Sequence, residues 1–447
     1  MITLGLCAAL TKCGLIVQPF KKGPDYIDPL WLSQAAARPC HNLDFYTMNP
    51  NEIVRTVVCH SQDADLSLIE GNKGLFDGLD VEGHHSNAAL AHLLGIPVIL
   101  VLDTQGMTRG IVPILLGYQL FNQRHEEKIH LAGVILNRVG GQRHESKLRA
   151  AIEHYTDIKI LGTVYKELGL SIEERHLGLI PSNEIGQSDE RIEKIATFIE
   201  KQIDLKQLLN IAQQGSSLLA TCPSEKKPSS DLRIGVIRDA AFGFYYPGDL
   251  VALQQAGAEL VFISALNDKG LPPIDALFIG GGFPEVFMQK LACNHQFKQA
   301  IKNVIEQGLP VYAECGGLMY LSRQITWQKQ TCEMVGALPC DTVMEARPPG
   351  RGYVRLRETG HGLWPLCDVH GHLAEFHAHE FHYSKVINLP SDVQFSYEVL
   401  RGYGLDGHHD GIVYKNTLAS YVHLRDVENN HWTKRFVEFV RTKKFNS

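Results

Sequence analysis

The sequence predicts two α/β domains of the doubly wound kind, joined by a linker. Three observations carry that prediction. Short apolar, β-branched runs recur with room for a helix between them, the rhythm stops at a stretch rich in Ser, Pro and Lys, and it then restarts. The length of 447 residues agrees, because it exceeds what one core usually organises. A hydrophobic share of 44% and a charged share of 21% are those of a soluble globular chain. The net charge of −6 argues against nucleic acid or an anionic membrane as the main partner. No apolar run approaches the ~18 residues of a membrane span, and the first residues lack the layout of a signal peptide. The ten cysteines are scattered without a CxxC pair, so neither a zinc ribbon nor a dithiol motif is indicated, and a reducing, cytoplasmic compartment fits.

The first domain is read as residues 1–205. It opens on a helix, with Ile2, Leu6, Ala9, Leu10 and Cys13 at helical spacing and Gly14 as its stop, followed by a strand from Ile16 to Phe20. The runs 65–71, 96–103 and 131–139 have the length and β-branching of buried parallel strands, and helical patterns near 86–95, 109–121, 143–154 and 190–203 fill the gaps. Residues 206–231 are read as the linker, since "QQGSSLLATCPSEKKPSSD" (213–231) has no periodicity. The second domain, 232–447, restarts the rhythm with strands at 232–239, 258–265, 274–282 and 309–317.

Within it, "LPVYAECGGLMYL" runs an apolar strand into Cys315, then Gly316-Gly317, then a helical start. A thiol on such a turn is exposed at the positive end of a helix, which lowers its pKa, and the glycines allow the tight geometry. Upstream, "FIGGGFPE" ends a strand in glycines whose bare backbone can aim N–H groups at an oxyanion. Downstream, "ASYVHLR" offers His423 as a general base. His377, His379 and His382 with Glu380 invite a metal reading, but their strand parity differs, and packing or substrate contact is the preferred role.

In the first domain, "KKGPDYIDP" sets Asp25 and Asp28 between prolines after a strand, where parallel sheets bind ligands. "DLSLIEGNKGLFDG" ends a second strand in Glu70, with Asp77 seven residues on. Carboxylates at strand ends suit Mg²⁺ held through one or two side chains plus nucleotide oxygens, here Asp25 and Glu70. The rival reading is that Asp25 and Asp28 only cap turns.

"GGGFPE…AECGGLMYL…SYVHL", with "AHEFHYS" (378–384) and "RPPGRGYV" (347–354), resembles the triad-type glutamine amidotransferase domain of the cobyrinic acid a,c-diamide synthase family. "QPFKKGPDYIDP", "EGNKGLFDG", "GMTRG" (106–110) and "AGVILNRVG" (132–140) resemble the synthetase half of the same family, a relative of dethiobiotin synthetase. The resemblance spans nearly all of the chain. It implies a P-loop-type α/β domain joined to a flavodoxin-like, class I-type glutamine amidotransferase domain. It implies that Cys315 attacks the glutamine amide, that His423 moves the proton, and that N–H groups near Gly281, Gly282 and Gly316 hold the oxyanion. Asp25, Asp28 and Glu70 would serve Mg²⁺, ATP or the carboxylate under activation, Asp77 would lie nearby, and Asn137 would read the adenine. Tyr26, Arg347 and Arg351, with Arg355 and Arg357, become candidates for contact with a tetrapyrrole polycarboxylate. The implied reaction is amidation of the a and c acetates of cobyrinate or hydrogenobyrinate in cobalamin biosynthesis, and a homodimer is compatible with it. Loop residues such as His84, His85 and Asn87 resemble a branch acting on sirohydrochlorin or sirohaem in sulfur metabolism.

Two departures stand out. Many glutaminase triads carry Glu two residues after the histidine; here that residue is Arg425, which leaves the third member unassigned. No GxxxxGK[ST] occurs, although the family places such a loop before a helix resembling "TLGLCAAL". The natural protein is therefore expected to begin roughly 10–25 residues earlier, and an ATP-independent glutaminase subunit or a tetrapyrrole carrier are the alternatives.

Overall fold

The computed structural model describes residues 1–445 except 125–127, 171, 176–177, 217, 223–228 and 369. Residues 217 and 223–228 of the expected linker thus lie outside the described residues. The chain divides into two compact units, Met1–Phe45 with Pro50–Cys222, and Tyr46–Asn49 with Pro223–Ser447. Among the described residues no helix is long and apolar enough to cross a membrane.

In the first unit, α1 (Ile2–Lys12) is buried on almost every side: Leu4, Leu6, Cys7, Ala9 and Leu10 all lie in the core. A helix apolar all round has no solvent face and must sit inside its domain. The parallel strands form two sheets, β1 (Val17–Lys22), β2 (His41–Leu43) and β3 (Leu66–Glu70) in the order β2-β1-β3, and β4 (Pro97–Asp103), β5 (His130–Val139) and β6 (Ile160–Tyr165) in the order β4-β5-β6. One apolar core nevertheless spans both, since Val17 and Leu66 of the first sheet share it with Ile135, Leu161 and Val164 of the second and with α1. The continuous layer expected from the strand rhythm is therefore interrupted between β3 and β4, and Val101 on β4 is 46% exposed.

Residues 206–212, at the head of the expected linker, belong to the helix Leu205–Ala212. Asp204 caps it by accepting from the Gln207 N–H, and Leu208 and Ile211 enter the first core. Their one-sided spacing outweighs the polar composition around them. Cys59 and Cys222 are joined by a disulfide across 163 residues, a pairing with no local sequence signal.

The second unit is built on a sheet of nine strands among the described residues. Its parallel half runs 258–263, 232–237, 276–279, 311–314 and 417–420, and an antiparallel half continues through 409–414, 394–401, 350–358 and 375–382. The strand Val311–Glu314 is therefore central, flanked by Ala276–Ile279 and Thr417–Ser420. All four of its residues are buried, and so are those of the helix Gly316–Leu321 that follows.

Candidate active site

Cys315 occupies the turn between that strand and helix with φ at +47°, a conformation that costs a side-chain-bearing residue on the order of 1–3 kcal/mol. The turn is held by the Cys315 N–H donating to the Ser420 carbonyl at 2.7 Å and the Met319 N–H donating to the Cys315 carbonyl at 3.1 Å. The thiol is 7% exposed and lies 3.9 Å from the Phe381 carbonyl. The expectation of a lowered thiol pKa does not hold here. Burial, and next the charge of Glu285, push the Cys315 thiol up, against the Gly316 N–H, which pulls it down. The helix offers only six residues, so its dipole is a weak counterweight.

The structure brings the three glycines to this turn. Gly281 and Gly282 pair with Phe244 and Phe242. A Cβ on Gly282 would stand 2.1 Å from the Ala241 carbonyl oxygen, and one on Gly316 would stand 3.0 Å from the Gly282 N, so these backbones meet without side chains between them. A Cβ on Gly281 would lie 2.7 Å from His423 Cε1, which sets the imidazole edge against the same loop. The chain beyond Gly282 lines a cavity of about 510 Å³, with Glu285, Phe287, Lys290, Trp327 and Gln330 on its wall.

His423 is 3% exposed and is fixed on several sides. Its N–H donates to the His379 carbonyl at 2.9 Å, and the two imidazoles stack with centroids 5.0 Å apart. His423 Nδ1 lies 3.3 Å from Glu314 Oε2. The other oxygen of Glu314 accepts from the Tyr312 hydroxyl at 2.7 Å and the Leu424 N–H at 2.9 Å. Arg425 sits with its guanidinium 5.0 Å above the Tyr246 ring. Burial, then the neighbouring His423 and Arg425, hold His379 well below the usual imidazole range, so it stays neutral.

The histidine cluster divides. His377 stacks on Tyr46 at 4.3 Å and its Nδ1 donates to the Tyr46 carbonyl, His379 faces His423, and His382 stacks on Tyr421 at 3.9 Å. The three rings thus face different neighbours, in keeping with packing roles. Among the described residues, ligating atoms converge instead at Asp80, Glu82 and His84, all exposed.

In the first unit, Lys21 unites the expected acids. Its ammonium lies 2.5 Å from Asp28, 2.9 Å from Glu70 and 3.8 Å from Asp25. Burial works against the Lys21 charge, yet Glu70 and Asp28 outweigh it and hold the ammonium protonated. Burial likewise opposes ionisation of Asp28, but Lys21 keeps that carboxyl below its usual range; Asp25 is pushed up, by burial and then by the charge of Asp28. Asp25 Oδ1 also accepts from the N–H groups of Ile27 and Asp28, so it caps a helix start as well. Three carboxylates, 21–34% exposed, are of the donor type a hard divalent cation takes, but here they converge on the Lys21 ammonium.

Asp77 is exposed and closes its own loop by accepting from the Gly74 N–H. Asn137 lies two residues before the end of β5, its side chain accepting from the Arg138 N–H. Tyr26 is buried before the helix Ile27–Ala36. Asn87 ties down the loop at Asn72 and Gly74, and His85 stacks on Phe45. Arg347 is exposed, Arg351 lies over the Phe381 ring, Arg357 pairs with Glu375 and Glu398, and Arg355 with Glu375. Sequence reasoning missed Lys21 and Glu314. Each stood in a quoted motif, one on the strand before the acids and one immediately before the cysteine.

Residues 233–430 match the model of the CobB/CobQ-like glutamine amidotransferase domain, and residues 22–173 match an AAA domain model. The chain is 44% identical to a cobyrinate a,c-diamide synthase of Magnetococcus marinus, with 98% of this chain and 94% of that protein covered. It is 39% identical to the same-named protein of Archaeoglobus fulgidus, over 99% and 95% of the two chains. A third, from Methanosarcina acetivorans, is 37% identical over 98% and 92%.

Proposed function

The chain belongs to the cobyrinate a,c-diamide synthase family, a family of glutamine-dependent carbon–nitrogen ligases, and from that premise we propose that it converts the a and c acetate carboxylates of cobyrinate or hydrogenobyrinate to amides in the cytoplasm. The observation that carries this reading is the assembly of Cys315, His423 and the glycines Gly281, Gly282 and Gly316 at one strained turn.

There, His423 takes the thiol proton as the sulfur bonds to the side-chain carbonyl carbon of glutamine. The oxyanion that forms is met by N–H groups at Gly282 and Gly316, and its collapse breaks the C–N bond. The leaving nitrogen takes the proton from His423 and departs as ammonia. Water then hydrolyses the thioester to glutamate. Burial raises the Cys315 thiol pKa, and in this reading the proton transfer is part of the attack rather than a step completed beforehand.

A carboxylate is a poor acyl donor, so in the first unit ATP converts it to an acyl phosphate, with ADP leaving. Ammonia attacks the acyl carbon and phosphate departs. Asp25 and Glu70 would hold Mg²⁺, which supplies charge neutralisation on the phosphates. Asp28 keeps Lys21 at the site, so that a cation remains there at every stage. Asp77 and Asn137 are assigned to nucleotide contact in this reading, and Tyr26, Arg347 and Arg351 to the tetrapyrrole, on the family resemblance alone.

Cys315→Ser tests the reading. Glutamine-dependent amidation of cobyrinate is expected to vanish while amidation supported by ammonium salts persists. Sirohydrochlorin in parallel decides the substrate. Unchanged glutamine turnover in the variant would refute the assignment.

A further inference from the structure

The residue that should orient His423 is absent from its expected place, where Arg425 faces Tyr246. We propose that Glu314 fills this role from the nucleophile strand itself, as the positioning carboxylate that fixes the tautomer of His423. The proposal rests on the reading of Cys315 and His423 as a glutaminase pair.

Topology makes the placement possible. Glu314 stands opposite Ser420 in the parallel register, and three residues further on the chain brings His423 back against it. The two side chains are 4% and 3% exposed, so their contact is shielded from competing water. A carboxylate only accepts, so at 3.3 Å the proton must lie on His423 Nδ1, which leaves Nε2 with its lone pair for the thiol proton. The Tyr312 hydroxyl and Leu424 N–H both donate to Oε1, fixing the carboxylate while Oε2 stays turned to the imidazole. The same negative charge steadies the imidazolium that forms during attack.

Three other buried acids of this unit are committed elsewhere. Asp410 accepts from the N–H groups of Gly411, Tyr421 and Val422, and Asp249 from the Asp426 N–H and the Trp432 indole. Glu380 accepts from the Tyr403 and Gly404 N–H groups. None of these reaches His423 Nδ1 among the described residues.

Glu314→Gln is a sharp probe because it keeps the shape. Its carbonyl can still accept from Tyr312 and Leu424, but its amide then donates toward Nδ1 and drives the proton to Nε2. In the full chain we expect kcat for glutamine hydrolysis to fall about 10²–10⁴-fold, with KM within about threefold and an unchanged melting temperature. Glu314→Asp should recover part of the loss. Imidazole ¹⁵N spectra should show His423 protonated on Nδ1 in the parent and on Nε2 in Glu314→Gln. Full activity in Glu314→Gln, or an unchanged tautomer, overturns the proposal. If Cys315→Ser is inactive while Glu314→Gln is not, this inference alone fails. If Cys315→Ser still hydrolyses glutamine, the glutaminase reading falls with it.

Discussion

In the first unit three carboxylates, Asp25, Asp28 and Glu70, gather around the ammonium of Lys21; in the second, the buried carboxylates of Asp410 and Asp249 are held by N–H groups, and Glu314 by an N–H and a hydroxyl. For Asp28 and Asp410 the electrostatic outcomes differ in sign. Lys21 holds Asp28 below its usual range in spite of burial, whereas burial pushes Asp410 up to about 6 against three backbone donors. A carboxylate bound to the main chain cannot leave without opening a loop, so it fixes geometry in advance. One balanced by an ammonium can exchange that cation for another or for a ligand. The second unit therefore owns a site set before substrate arrives, and the first owns a site balanced in charge.

The largest effect should come from removing a main-chain anchor. Asp410→Ala leaves the N–H groups of Gly411, Tyr421 and Val422 without their acceptor in a fully buried place. At roughly 1–2 kcal/mol each, the loss of unfolding free energy should reach about 3–6 kcal/mol. Tyr421 and Val422 lead directly into His423, so glutamine hydrolysis should fall with it. Urea unfolding at pH 7 measures the first, and an unshifted midpoint would show that these N–H groups do not depend on the carboxylate.

A smaller loss is expected from Lys21→Met. Breaking a buried charge cluster can cost more, but these acids keep a fifth to a third of their exposure, which brings the figure to about 1–3 kcal/mol. The sign with pH follows from Asp28. Its folded-state pKa is depressed, so its stabilising share is present above the ordinary carboxylate value and is lost as pH falls through the folded one. The gap between parent and variant, wide at pH 7, should therefore narrow in acid. Added Mg²⁺ should raise the melting temperature of the variant more than that of the parent, because the three acids have lost their internal cation. A pH-independent gap without a Mg²⁺ response would mean that Lys21 acts by packing.

The contrast between the units also explains what could be read from sequence. The strand, turn and helix around Cys315 were legible because apolar run, glycines and helical start are neighbours in the chain. So was α1, whose spacing is local and whose burial follows from it. Glu314 was not legible as a partner of His423, since 109 residues and a parallel strand register lie between them. Lys21 stood in plain view beside the acids, but only the pairing of β1 with β3 shows that Glu70 lies next to it. The histidines of 377–382 read as a cluster because they are close in sequence, and the fold turns them to different neighbours. Cys59 with Cys222 lacks any local pattern. Residue types and short motifs survive in one dimension, while partners across a sheet do not.

The smallest effect tests a carboxylate with few partners of either kind. Glu358 is 4% exposed; its Oε1 accepts from the Leu366 N–H and its Oε2 has no hydrogen-bond partner among the described residues. Burial pushes its pKa up to about 7 from 4.5, beyond what that N–H and the more distant Arg435 offset. A raised carboxyl pKa means that the native state prefers the proton. This group's contribution is thus fully present below pH 4.5 and is lost as pH rises through about 7. Glu358→Gln removes the ionisation but keeps an acceptor for Leu366, and its amide adds a buried donor with no ready acceptor. The new donor costs the same at both pH values and drops out of their comparison, so the variant should gain stability relative to the parent by on the order of 2 kcal/mol between pH 5 and pH 8. Urea midpoints at the two pH values read it directly. A relative stability that stays constant would place the Glu358 pKa near its ordinary value and would extend main-chain control of acids in this unit to a single N–H.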